Sequence, residues 1–399
     1  MKRLNGLFDK ICTLDNIELA DKYARRGKHN WGIFKHNKHP KEDNIKLLEA
    51  LKNGTYRTSL YSTFKIYEPK ERTIFRLPYY PDRIVHWAIM NVMEPIWTSI
   101  FIEHTYSCIK GRGIHKLLQD LKQELKDDVE GTRYCLKLDI KKFYPSIDHE
   151  VLKSILRKKI KDIKLLKLFD EIIDSAQGVP IGNYLSQFFA NLYLSYFDHW
   201  LLESVKVKHY FRYADDIIIL SDNPAFLKNV LVAIKFYLKN ILNLELKPNY
   251  QVYDINKRGI DFVGYVFYPS YIKIRKSIKI KLNTLLLRYI RGVIAFEDLQ
   301  KRIVSYLGWL KFCNSKHLLR KIEYYTGLHF SNWRGKTTSI RKMNGKVVRL
   351  IEIVKHKSYI KIHFMYKHIS YSIKTTSKYL WNKLSLFNFP INYKFKSIC

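Results

Sequence analysis

Carboxylates are scarce in this chain. Across 399 residues, 36 Asp and Glu stand against 71 Lys and Arg, for a formal charge of +35. So basic a surface is unusual for a cytoplasmic enzyme of small molecules and attracts polyanions, chiefly nucleic acid or anionic membrane. AT-rich codon usage would enrich Lys, Ile, Asn, Tyr and Phe but also Glu, so it does not explain the sign of the charge. Long apolar runs are missing as well. No window of about 18 unbroken apolar residues occurs, so no membrane span is expected, and Met1-Lys2-Arg3-Leu4-Asn5-Gly6 turns polar too soon for a secretion signal. Cysteine is sparse: Cys12, Cys108, Cys135, Cys313 and Cys399 are odd in number and scattered, with no Cys-x-x-Cys pair. Neither a zinc site nor a disulfide framework is expected, and the compartment is a reducing cytoplasm.

What is present is an apolar fraction of 47%, enough for a substantial core, on a chain long enough for two or three domains. The 29 Tyr, 22 Phe and 7 Trp interleave with Lys and Arg, a mixture suited to stacking on single-stranded bases.

The pattern along the chain is α+β. Residues 1–60 read as a basic helical region broken by a loop from Gly27 to Pro40, and the run Ala24-Arg25-Arg26-Gly27-Lys28-His29 is a solvated face or a phosphate grip. Residues 61–130 begin with β-rich sequence over Thr63 to Pro81, then a helix from Asp82 to about Thr98. Residues 131–268 hold a strand at Arg133 to Ile140, one helix from Val151 to about Ser175, and a turn at Gly178-Val179-Pro180. A helix from Tyr184 to about Leu202 follows, then a hairpin centred on Asp215-Asp216, a helix over about Ala225 to Leu242 and a short strand pair from Gly259 to Tyr268. Residues 269–330 are helical and basic. Residues 331–399 turn to strands such as Val347 to Val354 and carry 15 Lys and Arg with one acid, Glu352, so this sixth of the chain supplies +14.

Two adjacent carboxylates at a hairpin tip, bounded by Ile217-Ile218-Ile219-Leu220, pose an electrostatic problem. Asp139 at the end of another apolar strand compounds it, since close like charges raise one another's pKa. Divalent cations resolve the conflict. Two magnesium ions about 3.5–4 Å apart can clamp the attacking and leaving oxygens of an in-line phosphoryl transfer, and manganese can replace them. An Asp-Asp pair alone is an ordinary turn; its surroundings change the reading.

From about residue 60 to 320 the chain resembles reverse transcriptases in ordered blocks. Tyr213-Ala214-Asp215-Asp216 matches that family's Tyr-x-Asp-Asp box, and Asp139-Ile140-Lys141-Lys142-Phe143-Tyr144-Pro145-Ser146-Ile147-Asp148 looks like its first metal-binding block. The resemblance implies a right-hand polymerase fold: fingers, palm, helical thumb and a basic β-rich C-terminal extension. It implies Asp139, Asp215 and Asp216 as the catalytic and metal-binding set, with the Ile140 carbonyl a minor ligand and Asp216 the less direct one. Tyr144 falls where the family keeps the bulky gate against a 2′-hydroxyl; a core aromatic is the plain alternative. Arg72 matches the fingers arginine that holds the incoming triphosphate, a task suited to a bidentate guanidinium, against the alternative of a surface arginine. Phe262-Val263-Gly264-Tyr265 looks like the primer-grip turn. For the family's later lysine, Lys247 is nearest but Tyr250 is the aligned position, so that role stays unassigned.

The block Gln177-Gly178-Val179-Pro180-Ile181-Gly182-Asn183-Tyr184-Leu185-Ser186-Gln187 discriminates further. Group II intron and retroviral enzymes carry Gln-Gly-x-x-x-Ser-Pro, whereas this chain has Ile181, Gly182, Ser186 and Gln187, the variant of diversity-generating retroelement enzymes. The family's glutamine at the position of Ile181 hydrogen-bonds around the nascent pair; an aliphatic side chain cannot. Losing one such bond is worth about 1–3 kcal/mol, roughly ten- to a hundredfold in discrimination, which accords with that subfamily's errors opposite adenine. Ile181 as a mere palm-packing residue is the alternative. The subfamily resemblance implies a template-repeat RNA, a primer or cDNA strand and deoxynucleotides as ligands, a small basic accessory protein that forms a pentamer, and a bacterial or phage source. A group II intron enzyme, a defence-associated reverse transcriptase and an inactive RNA-binding scaffold are the competing readings. No RNase H carboxylate constellation is seen in the tail, whose Trp333, Tyr359, Phe364, Tyr366, Tyr371, Tyr379 and Trp381 mix stacking with phosphate-binding neighbours.

Overall fold

Thirteen of the twenty residues in the helix Tyr184–Glu203 are buried, on every face, and the rest of the N-terminal unit is built around it. The structure is a computed structural model that describes residues 3–26, 39–67, 71–326, 349–355, 360–366, 369–375 and 396–397. The mixture of helices and antiparallel sheets is α+β. It divides into two compact units, Met1–Gly259 and Ile260–Cys399.

In the first unit the helices are α1 (Leu7–Ile11), α2 (Leu14–Arg25), α3 (Pro40–Lys52), α4 (Ile84–Thr98), α5 (Ile114–Asp127), α6 (His149–Lys159), α7 (Ile163–Ile173), α8 (Tyr184–Glu203), α9 (Pro224–Ile241) and the single turn α10 (Ile255–Arg258). The strands are β1 (Ser62–Ile66), β2 (Arg72–Arg76), β3 (Tyr134–Asp139), β4 (His209–Tyr213), β5 (Asp216–Ser221) and β6 (Gln251–Asp254). β1 and β2 form a largely exposed hairpin; β3 to β6 form an antiparallel sheet in the order β4-β5-β3-β6. Side chains alternate across that sheet. Leu136, Leu138, Tyr210, Ile217 and Ile219 turn one face into the main core, shared with Leu7, Phe8, Ile17 and Leu47 from the N-terminal helices. Residues 3–26 and 39–52 therefore belong to the same packed body as the sheet.

One expected helix is two. The stretch from Val151 to Ser175 breaks between α6 and α7, at Ile160-Lys161-Asp162. The Asp162 carboxylate caps α7 through the Leu165 amide at 3.3 Å and also accepts the Leu7 and Phe8 amides of α1 at 2.8 and 2.9 Å. Leu4 completes the break, pairing with Ile160 through bonds from Leu4 N to Lys159 O and from Lys161 N to Leu4 O. A helix terminus leaves orphan amides that demand acceptors; Asp162 meets that need locally for α7, but Leu4 and the α1 amides that complete the break lie more than 150 residues away, so apolar periodicity alone runs through it.

The second unit holds the small antiparallel sheet β7 (Ile260–Phe262), β8 (Tyr265–Phe267) and β9 (Ile272–Ile274), and the helices α11 (Lys276–Ile290), α12 (Phe296–Leu310) and α13 (Lys316–Thr326). Leu282, Leu286, Leu299, Ile303, Leu307 and Ile322 form its helical core. Strands β10 (Arg349–Lys355), β11 (Ile360–Tyr366), β12 (Ile369–Thr375) and β13 (Lys396–Ser397) pair in the order β12-β11-β10-β13. Residues 27–38 of the expected N-terminal loop, and Trp333, Tyr359, Tyr379 and Trp381 of the tail, lie outside the described residues; for Phe364, Tyr366 and Tyr371 the backbone alone is described.

Candidate active site

Strand register brings the acidic residues together. Asp139, last in β3, stands directly across from Asp216, first in β5, and Tyr213 pairs with Asp216 on the other side. Paired residues project from the same face, so Asp139 and Asp216 share one, with Lys137 two residues back along β3. Between β4 and β5 only Ala214 and Asp215 remain, and Ala214 holds a left-handed φ of 54°. Such a φ costs a non-glycine residue roughly 1–2 kcal/mol, so this tight turn is maintained from outside itself.

Arg212 maintains it. This guanidinium is wholly buried, at 0% exposure, and so is its partner Asp198 on α8. Arg212 Nε donates to Asp198 Oδ1 at 2.8 Å and Nη2 to Oδ2 at 2.5 Å. Its Nη1 donates to the Asn191 side-chain oxygen and to the Ala214 carbonyl, each at 3.1 Å. The Tyr210 hydroxyl donates to Asp198 at 2.6 Å, completing a bridge from the central helix to the carboxylate turn. The sequence reading missed this pair. Each half left a trace, Asp198 as the one Asp of a largely apolar helix and Arg212 in a buried strand two residues before the turn, but nothing in the sequence pairs them.

Basic groups surround the carboxylates. Lys247 Nζ lies 2.5 Å from both oxygens of Asp139, and its amide donates to the Asp139 carbonyl at 2.8 Å. The segment Glu245 to Lys247 runs beside Asp139 to Lys141, with Ile140 bridged to Leu246. Lys247, which sequence could not assign, thus sits on the cluster, whereas the Tyr250 hydroxyl accepts from Lys235 at 2.8 Å. Lys137 Nζ lies 3.9 Å from Asp216. Burial, and then the charge of Asp139, raise the Asp215 carboxyl above the usual carboxylate range, while Lys247 and Arg72 pull it back.

These residues fit divalent cations by donor chemistry. They are hard carboxylate oxygens, mutually repelling and already drawing ammonium groups to themselves. Among the described residues no three His, Cys, Asp or Glu side chains form a ready cage, so a metal ion would compete with Lys247 for Asp139. Bound there, magnesium would supply charge neutralisation for phosphoryl transfer.

The remaining expected residues fall into two groups. Tyr144 stands in a one-turn helix with its ring edge-on to Phe143 at 5.5 Å. Burial, then Cys108 and Asp215, hold its phenol above the ordinary range, which puts the ring beside the carboxylate turn. Gly178 packs closely on the one-turn helix that holds Tyr144: its φ is +61°, and a Cβ there would lie 2.5 Å from the Tyr144 carbonyl oxygen. Arg72 is exposed on β2, and its charge acts on Asp215. β2 also receives the discriminating block: the Phe75 amide donates to the Ile181 carbonyl at 2.8 Å. Gly182, with φ +126°, lets the two backbones meet, since a Cβ would lie 2.4 Å from the Phe75 carbonyl oxygen. Ile181 is half-buried, Ser186 buried and Gln187 half-buried in the first turn of α8.

The second group is in the other unit. Phe262 and Tyr265 close a two-residue hairpin in which Val263 and Gly264 both have positive φ, 41° and 88°. A β-branched residue in that region is an outlier. Gly264 faces Trp309, where a Cβ would meet the indole at 2.5 Å, and the Tyr265 hydroxyl donates to the Trp309 carbonyl at 3.0 Å.

Residues 68–267, half of the chain, match the family described as reverse transcriptase (RNA-dependent DNA polymerase). The chain belongs to the reverse transcriptase family. Its α+β fold is accordingly the right-hand polymerase fold. Among curated relatives of this reverse transcriptase, protein YkfC of Escherichia coli K12 is 29% identical over 154 residues, covering 35% of this chain and 40% of the relative. The group II intron-encoded protein LtrA of Lactococcus lactis is 26% identical over 196 residues, covering 45% and 32%. The retron Ec73 reverse transcriptase of Escherichia coli is 27% identical over 258 residues, covering 60% and 78%. The chain thus matches two-fifths or less of the length of the first two. Among the described residues no helix is long and apolar enough to cross a membrane.

Proposed function

We propose that this reverse transcriptase copies an RNA template into DNA and does so with errors directed opposite adenine, as diversity-generating retroelement enzymes do. The observation that carries the reading is the meeting of the Ile181-Gly182 backbone with the strand that bears Arg72, next to the Asp139, Asp215 and Asp216 cluster. In this reading Asp139, Asp215 and Asp216, with the Ile140 carbonyl, hold two magnesium ions, or manganese in their place. Arg72 fixes the triphosphate, and Tyr144 turns away a 2′-hydroxyl. Phe262, Val263, Gly264 and Tyr265 support the primer end. Ile181, Gly182, Ser186 and Gln187 line the nascent pair, and Ile181 stands where an amide would police it. The ligands are a template-repeat RNA, a cDNA or primer strand, deoxynucleotides and a small basic accessory protein that forms a pentamer. The setting is the cytoplasm of a bacterium, from its own or a phage gene.

The test has two parts. Primer extension on an RNA template should be active in the wild type and abolished in Asp215→Ala. Sequenced cDNA from Ile181→Gln should show adenine errors reduced roughly ten- to a hundredfold. An unchanged adenine error rate rejects the mutagenic role, and inactivity of the wild type on every template leaves an RNA-binding scaffold. The alignment over 78% of the retron enzyme favours a second reading, a bacterial reverse transcriptase without the adenine-directed errors; high-fidelity cDNA from the wild type would support it.

A further inference from the structure

The outer face of α9 carries apolar side chains that nothing in the described structure covers. Its inner stripe, Leu227, Val230, Ile234 and Leu238, is buried in the main core. On the opposite side Val232 and Phe236, one helical turn apart, are 68% and 67% exposed. At about 100° per residue, Lys228, Lys235 and Lys239 run along one side of that row, and Asn229 and Asn240 along the other. The helix contains no Asp or Glu. Lys235 is already engaged: its Nζ donates to the Tyr250 hydroxyl at 2.8 Å and lies 4.0 Å from the centre of that ring. Lys228 and Lys239 are exposed and form no ion pair among the described residues.

Strand alternation turns this surface away from the chemistry. Leu136, Leu138, Ile217 and Ile219 face the core that α9 shares, whereas Asp139 and Asp216 lie on the other face of the same two strands. An occupant of α9 therefore leaves the carboxylates open. One exposed apolar side chain is ordinary. Two in a row beside a lysine edge make a double demand, for apolar contact at Val232 and Phe236 and for negative charge at Lys228 and Lys239. A nucleic acid meets the lysines and offers nothing to the aliphatic Val232. A second copy of this chain would set the same lysines against each other, and any basic partner meets like charge. A helix with apolar residues at i and i+4 and carboxylates along one edge meets both demands.

We propose that the outer face of α9 is the docking surface for an acidic amphipathic helix of a second protein. The apolar row of that helix covers Val232 and Phe236, and its carboxylates pair with Lys228 and Lys239. Such a partner would tether the enzyme without obstructing the Asp139, Asp215 and Asp216 cluster. The inference is independent of template and of copying errors, and it sends the basic accessory protein proposed above to some other surface.

The probe is a fluorescein-labelled helical peptide of about five turns, with leucines at i and i+4 and glutamates along one edge. Its control is a scrambled peptide of the same composition, which isolates the apolar row from the attraction of any acidic chain to so basic a protein. Fluorescence anisotropy against the full chain, at physiological salt, should show the ordered peptide bound more tightly than the scrambled one. Phe236→Ser should weaken the ordered peptide about tenfold and leave the scrambled one unchanged. Lys228→Glu combined with Lys239→Glu should weaken it similarly and admit a version of the peptide with lysines in place of glutamates. Affinity of Phe236→Ser for a single-stranded RNA oligomer and for phosphatidylglycerol vesicles, and its primer extension, should match the wild type. Equal binding of ordered and scrambled peptides, or an ordered peptide indifferent to Phe236→Ser, overturns the proposal. A loss of RNA or vesicle binding, or of primer extension, in Phe236→Ser would also overturn it by giving this face to a different task.

Discussion

The Asp215 carboxyl is raised by burial and by Asp139, and this has a measurable sign. A group whose pKa is higher in the folded chain holds its proton more tightly there. Its contribution to stability is full below about pH 4, the unfolded aspartate value, and is lost as pH rises through the folded value. At neutral pH the ionised group is a burden, so Asp215→Asn should melt above wild type in chelator at pH 7, and the gap should close as pH falls toward 4. Magnesium should raise the wild-type melting temperature and leave the variant nearly unchanged. A gap independent of pH would contradict this account. Arg212 carries a larger stake. Removing one partner of a buried pair strands the other charge, at about 3–5 kcal/mol, so Arg212→Met should lower the melting temperature strongly. The milder Arg212→Lys, which keeps the charge and loses the fork that reaches Ala214, should lower kcat more than KM in primer extension. Equal loss in both, or none, would remove Arg212 from the positioning of the turn. Asp139, Asp215 and Asp216 could be singled out in the sequence by side chain and spacing, and the strand register brings them together. Arg212 was unread because its meaning depends on Asp198, which only the packing of α8 against β4 reveals.

Among the elements, the hairpin of β4 and β5 and the helix α8 follow from alternation and apolar content, and their observed bounds differ from expectation by a residue or so. The break between α6 and α7 does not. Asp162 there caps two helices at once, so Asp162→Ala should orphan the amides of Leu7, Phe8 and Leu165 and destabilise the first unit by about 2–4 kcal/mol. Asp162→Asn, which keeps an acceptor oxygen, should recover most of that. Hydrogen exchange at the Leu7 and Phe8 amides would report it directly; unchanged protection in Asp162→Ala would show that α1 is held by its apolar face alone. The hairpin from Phe262 to Tyr265 was legible as a turn, yet the left-handed φ of Val263 was not, because nothing in a Val-Gly pair announces that the valine shares the glycine's conformation.

For the whole molecule, the formal charge of +35 makes salt the natural variable. Residues 331–399 hold +14 of it. If they touch RNA, deleting them should reduce the slope of log affinity on log salt by about 0.7–0.9 for each phosphate they neutralise; an unchanged slope would assign the tail to another task. Composition announced the polyanion, while the division at Gly259 was not announced, since β6 and β7 are separated by a single helical turn and no linker. The bond between the Phe75 amide and the Ile181 carbonyl carries a further consequence. It uses only atoms that every residue possesses at that position, so exchanging the side chain leaves the joint intact. If the side chain at 181 sets fidelity, as proposed, a lineage bearing this enzyme would retune its copying errors by changing one codon while that joint stays in place, and the mutation rate would itself become a trait open to selection.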